Sequence, residues 1–395
     1  MKGRLAIAAL VVAAAPDGAG ADPYRLRADA LATAQAPAGL VVLQADGKGG
    51  PFFAAEALIW VGGGAATPGG DMGLADDQTE AQALVVAVRA RRSFGEARLG
   101  RFVLATGGLM PVHMDGASGR VRLQQRFALE AFAGSPVAPG LDGRQWDWLA
   151  GGRASRSIGD WGSAGVAYMH RRDNGRVSME EAAADAGLQA TSWLDLSGRA
   201  AIDLIHGGLA ETQATASARK GAWRFEVYGT ERSASRLLPA TSLFSVLGDS
   251  PSRRIGTTTR WRAAPRLDLF ADAGALSGGG EWGELAAARA TLRLDDRGSG
   301  ALGGELRREG VPGASWTGTR ATARTPLIAG FRFAAEGELA FPDDSDHVWP
   351  WGLFAVSRRL GDWEAAAAVE ASSSPTEVYR LDALARLTWL WEATP

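Results

Sequence analysis

The chain is 395 residues long and close to neutral, with 42 Lys and Arg against 44 Asp and Glu, and it contains no cysteine. That balance leaves no basic surface for nucleic acid, and the missing cysteines leave no disulfide framework. Only Lys2, Lys48 and Lys220 are lysine, so almost all positive charge is carried by arginine.

The N-terminus reads as an export signal. Lys2 and Arg4 precede an apolar stretch from Leu5 to Ala15, and Ala19-Gly20-Ala21 supplies the small residues of a cleavage site. Residues 1–21 are therefore expected to be removed, leaving 22–395 as one domain. No later segment approaches the ~20 consecutive apolar residues of a membrane helix. If the mature chain meets a membrane, it must do so as strands.

Taken in chain order, period-two patterns dominate. Ala81 to Arg92, Arg120 to Gln124, Phe127 to Ala133 and Met179 to Leu188 alternate weakly, and Glu180, Glu181 and Asp185 leave a long loop or a short helix open at the last of these. Leu194, Leu196, Ala200 and Ile202 oppose Asp195, Ser197, Arg199 and Asp203. Trp223, Phe225 and Val227 oppose Arg224, Glu226 and Arg232. Leu267, Leu269, Ala271 and Ala273 oppose Arg266, Asp268 and Asp272. Phe331, Phe333, Ala335 and Leu339 oppose Arg332, Glu336 and Glu338, and Trp363, Ala365, Ala367 and Val369 oppose Glu364 and Glu370. Each is a strand with one apolar and one charged face.

Connections alternate in length. Gly47 to Pro51, Ser93 to Glu96, Ile158 to Asp160, Lys220 to Ala222, Ala264-Pro265, Asp295 to Gly300 and Arg359 to Asp362 are short. Gly62 to Thr79, Gly107 to Ser118, Gly134 to Gln145, Ser233 to Arg254 and Phe341 to Trp349 are long. The long ones fall at one end of the sheet, as in barrels with short periplasmic turns and longer external loops. Tryptophans follow the strand ends: Trp161, Trp193, Trp223, Trp261, Trp363, Trp389 and Trp391 at the inner end, and Trp60, Trp146, Trp148, Trp282, Trp316, Trp349 and Trp351 at the outer end, as two interfacial girdles require. A β-propeller would need a four-strand repeat of ~40 residues, and no such self-similarity is present.

The last run closes the pattern. Tyr379, Leu381, Ala383, Ala385, Leu387, Trp389 and Trp391 alternate with Arg380, Asp382, Leu384, Arg386, Thr388 and Leu390. It resembles the closing strand of Gram-negative outer-membrane β-barrel proteins of the porin-like class. The expected fold is all-β, a single transmembrane antiparallel up-and-down barrel of an even number of strands between 16 and 22, with 18 to 22 favoured. At that size side chains alone do not fill the lumen.

Two sets of residues are candidates for function. The apolar Leu237, Leu238, Leu243, Phe244, Val246 and Leu247 lie in the longest predicted external loop, which folds into the lumen as a gate, packs on the rim or docks a partner. Arg199, Arg224, Arg260, Arg262, Asp268, Asp272, Arg289, Arg293, Glu336 and Glu338 are expected to face the lumen. Their interleaved signs favour pairing that stiffens the wall over a selectivity ring, although the stretch Arg253 to Arg293 is rich enough in arginine to attract anions. His113, His170, His206 and His347 cluster toward the outer end without metal-ligand spacing. Gly248-Asp249-Ser250 and Gly278-Gly279-Gly280 lack the context of a hydrolase elbow or a phosphate cradle. No catalytic residue, cofactor or metal is expected. The resemblance implies outer-membrane lipid as the surrounding partner and a passive or loop-gated path for polar solutes. A non-conducting anchor for an envelope assembly and a companion channel in polysaccharide export are the alternatives. Envelope partners at the external loops and a homo-oligomer stay open.

Overall fold

The computed structural model describes residues 24–33, 38–49, 52–64, 80–123, 126–137, 147–233, 252–278, 281–296, 299–310, 315–326, 330–373 and 379–393. They form twenty-two strands and, among the described residues, no α-helix. The first eleven are β1 (Tyr24–Thr33), β2 (Ala38–Gly49), β3 (Phe53–Gly64), β4 (Glu80–Arg92), β5 (Gly95–Leu104), β6 (Val112–Leu123), β7 (Phe127–Pro136), β8 (Trp148–Ile158), β9 (Gly162–Asp173), β10 (Arg176–Thr191) and β11 (Leu194–Asp203). The rest are β12 (Gly208–Lys220), β13 (Trp223–Arg232), β14 (Ser252–Ala264), β15 (Leu267–Gly278), β16 (Glu281–Arg293), β17 (Ala301–Gly310), β18 (Trp316–Pro326), β19 (Phe331–Pro342), β20 (Trp349–Leu360), β21 (Trp363–Ser372) and β22 (Arg380–Ala393).

All twenty-two belong to one sheet. Every registered pair is antiparallel between chain neighbours, and β1 pairs with β22 over ten residues, from Tyr24 opposite Ala393 to Thr33 opposite Leu384. The fold is a closed, up-and-down β-barrel, which leaves no open edge and satisfies the ladder hydrogen bonds within the sheet. The strands group into two compact units, one from residues within 24–102, 323–337 and 350–393, the other from residues within 103–322 and 338–349.

In the first unit the register puts Asp29, Asp46, Glu56, Arg98, Glu364 and Arg386 on one face and Leu43, Val88, Leu99, Val369 and Leu387 on the other. In the second, Glu130, Arg153, Asp185, Arg199, Glu226 and Asp268 share one face, and Leu129, Val166, Ile202, Val227 and Leu306 share the opposite one. Large apolar side chains stay exposed on the second face, with Val166 and Leu306 each at 62%. Such a surface is stable only against lipid.

The two-residue turns at 93–94, 192–193, 221–222, 265–266 and 361–362 all lie at the expected inner end. The opposite end holds the long connections but is less uniform than the sequence predicts, since β9 and β10 are joined there by Asn174-Gly175 alone, both at positive φ. The weakly alternating segments at 81–92 and 179–188 are strands, the second with a register shift between Val177 and Met179.

The inner girdle is present on the apolar face. Trp223 and Trp261 are cross-strand partners with stacked rings 4.8 Å apart, and Trp363 opposes Trp389 at 6.2 Å. The outer one is partial and corrects the sequence reading. Trp148 and Trp282 lie on the apolar face, but Trp60, Trp316 and Trp351 stand on the charged one. The reason is local: the Trp316 ring lies 4.5 Å from the Arg307 guanidinium, and Trp351 Nε1 donates to Glu370 at 2.8 Å. Trp146 lies outside the described residues.

Candidate functional site

The charged face of the second unit carries both features on which function can rest. The first is a segment that leaves the wall. After β5 the chain runs through Ala105–Pro111 before β6 begins, and these seven residues do not form a hairpin loop over their own strands. They lie against the charged face of β8, β10 and β11.

Gly107, at φ +57°, sits where any Cβ would come within 2.5 Å of Asp185 Oδ1 and 2.9 Å of Arg153 Cδ. Glycine is demanded twice there, by the left-handed backbone and by the close approach. Gly108 is pressed against Ala183, Ala184 and Ala200. The Leu109 amide closes a turn onto Thr106 O at 3.1 Å, and the Met110 amide donates to Glu181 Oε1 at 3.2 Å. Thr106, Leu109, Met110 and Glu181 are all buried.

The wall beneath is adapted to receive this segment. Arg153 reaches from β8 across β9 to β10, donating from Nε and Nη2 to the two oxygens of Asp185 at 3.0 and 2.6 Å, with Glu130 at 3.5 Å. Its guanidinium passes over Gly165, where a side chain would collide with it. Around this pair the charged face turns apolar. Met114, Leu149 and Met169 are almost wholly buried, with the Met114 methyl over Gly116 and Gly134 and the Phe132 ring over Gly151. An apolar patch on the polar side of a barrel wall is stable only where it is covered, and beside it Gly108 lies against Ala183.

The second feature is the charged wall itself. Nine of the ten charges singled out in the sequence stand on this face. Arg199 pairs with Glu211 at 2.6 Å, and Arg224 with Glu226 at 3.2 Å. Asp268 gathers Arg260, Arg262 and Arg293 at 3.8, 3.6 and 3.3 Å. Asp272 accepts from Arg254 at 2.8 Å and from the Tyr228 hydroxyl at 2.9 Å. Arg289 has Glu305 at 3.9 Å, and Glu338 is bonded to Arg307. Glu336, the tenth, lies on β19 within the first unit. Cross-strand and along-strand pairing is thus the rule, as the interleaved signs predict.

Leu237, Leu238, Leu243, Phe244, Val246 and Leu247 lie outside the described residues. Sequence reasoning missed the Ala105–Pro111 segment, treating it as the start of an ordinary loop from Gly107 to Ser118. Its signal was the Gly-Gly-Leu-Met run: apolar residues beside paired glycines that have no turn to make within a hairpin. At the outer end, His206 Nδ1 lies 2.7 Å from Asp203 and His170 lies 3.9 Å from Glu180. Among the described residues no group of three or more His, Asp or Glu converges as a metal site.

No protein-family model matches the chain, and no curated protein matches it. Solved structures do. The translocation pore of the P pilus usher PapC is similar over 94% of this chain and 99% of its own, at 10% identity and a TM-score of 0.53. A chain of the E. coli P pilus tip assembly intermediate PapC-PapD-PapK-PapG is similar with a TM-score of 0.56 at 10% identity, over 94% of this chain, which spans 61% of that one. OccK5 (OpdH) of Pseudomonas aeruginosa covers 95% of this chain and 99% of its own at 10% identity, with a TM-score of 0.45. Likeness at this identity establishes the fold alone, a large closed β-barrel. With that closed sheet and its apolar exterior, the protein belongs to the bacterial outer membrane.

Proposed function

We propose that the protein gives polar solutes a passive path across the outer membrane, and that the Ala105–Pro111 segment narrows it. The charged face lines the lumen, because the opposite face is apolar and exposed along its strands. The observation that carries the reading is the docked segment, whose Met110 amide is held by the buried Glu181 carboxylate on the charged side of the wall. A barrel this wide needs such an element to set its bore. The solute range then follows from what remains open beside it.

Planar-bilayer conductance tests this directly. Removing Thr106 to Met110 is expected to raise single-channel current above wild type. Removing Leu238 to Val246 separates the contribution of the Ser233 to Arg254 loop. Zero current from the folded wild type and both deletions would overturn the proposal and favour a non-conducting anchor.

A further inference from the structure

The register aligns one transverse row on the charged face of β12 to β17: Arg219 opposite Arg224, Arg224 opposite Arg260, Arg260 opposite Phe270, Phe270 opposite Arg289 and Arg289 opposite Glu305. Three like charges directly across from one another oppose folding, because neighbouring strands are only ~4.8 Å apart. Wall-stiffening pairs do not require this arrangement. Arg219 and Arg224 are relieved by Asp195 at 3.1 Å and Glu226 at 3.2 Å. Arg260 and Arg289 are not relieved to the same degree, since their carboxylates, Asp268 and Glu305, lie at 3.8 and 3.9 Å, beyond hydrogen-bond reach. Asp268 is in addition shared with Arg262 and Arg293.

These two guanidiniums are 61% and 51% exposed and border a cavity of about 630 Å³, with Phe270 between them in the row and 5.1 Å from Arg289. Thr258, Thr291 and Thr322 add hydroxyls to its lining. Among the described residues of its lining, Arg224, Arg260, Arg289 and Arg320 stand against Glu226, Asp268 and Glu305.

We infer that this patch binds a small organic polyanion carrying carboxylates. Two forked, under-used guanidiniums two strands apart match oxyanion groups at two points. The phenyl ring and a volume in the range of small-molecule sites suit a carbon skeleton better than an inorganic ion. This inference rests on the charged face lining the lumen; it names the class of solute that the path would favour.

Citrate is the probe, titrated calorimetrically into the detergent-purified protein at low salt, with inorganic phosphate as the comparison. The wild type is expected to bind citrate, and Arg260→Gln with Arg289→Gln is expected to weaken binding by at least about tenfold, the loss of one charge-assisted contact. Arg199→Gln, which removes a fully paired arginine, is expected to leave binding unchanged. Equal citrate affinity in wild type and double variant overturns the inference, as does phosphate binding as tight as citrate. Because calorimetry needs no conduction, binding without current refutes the pore and leaves this site standing, whereas current without binding does the reverse.

Discussion

Substituting Glu181 by alanine removes the acceptor that holds the Met110 amide. Glu181 is 3% exposed and receives that amide at 3.2 Å, so no water replaces the lost oxygen while the segment stays docked. A hydrogen bond to a charged group contributes ~1.5–3 kcal/mol, and its removal should shift the equilibrium between docked and undocked segment by about 10- to 150-fold. Glu181→Gln retains a carbonyl acceptor, so the expected shift is smaller, ~0.5–1.5 kcal/mol or about 2- to 13-fold. Hydrogen exchange followed by mass spectrometry reads this as faster exchange at Leu109 and Met110, graded alanine over glutamine, with the barrel strands unchanged. Single-channel records should show more time at high conductance in the same order. If a folded Glu181→Ala protein exchanges those amides at the wild-type rate and conducts as the wild type does, the segment is not held by this contact.

Other expectations follow from the same geometry. Arg153→Ala leaves Asp185 without its bidentate partner in a largely buried setting, and a loss of ~3–5 kcal/mol should appear as a lower denaturant midpoint for the folded barrel; an unchanged midpoint would contradict it. Gly107→Val cannot keep φ +57° beside Asp185, so it should release the segment and raise conductance while the barrel still resists unfolding in detergent. Replacing Trp223 by leucine ends the stacked pair with Trp261 and should cost ~0.5–1.5 kcal/mol in lipid-refolding titrations. At the outer end, the hydrogen bonds donated by Arg308 hold the Asp343 carboxyl below the usual carboxylate range. A lowered value in the folded state means the tether is present above the ordinary carboxylate pKa of ~4 and is lost as pH falls through the lowered one. Carboxyl-carbon NMR of Asp343 should therefore titrate below that range and move up in Arg308→Ala.

Much of the fold was legible because a lipid-facing wall enforces alternation. Along Trp223 to Arg232 and Arg380 to Trp391 apolar and charged residues alternate, and the face of each charged residue can be read. The pattern fails where a third element covers the charged side. Glu181 and Ala183 look irregular in sequence because the Ala105–Pro111 segment lies over them, and a strand covered on its charged face loses its polar periodicity there. The position of that segment was not legible, since it depends on contacts between residues as far apart as Met110 and Glu181. Strand-end tryptophans were legible as strand ends but not as to face, because Trp316 and Trp351 find partners in Arg307 and Glu370 that only the register brings near. The arginine-rich stretch was visible, but the alignment of Arg219, Arg224 and Arg260 in one row depends on turn positions that set the register.

Function as proposed here requires that the charged face be wet and the opposite face lie in lipid. The absence of native cysteine permits single thiols at Thr258 and Thr291 on the charged face, and at Val227 and Leu306 on the apolar one, each in protein reconstituted into vesicles. A water-soluble, membrane-impermeant thiol reagent is expected to label the first two rapidly and spare the others, which should instead react with a lipid-dissolved reagent. Rapid aqueous labelling at positions 227 and 306, with protection at 258 and 291, would contradict the account.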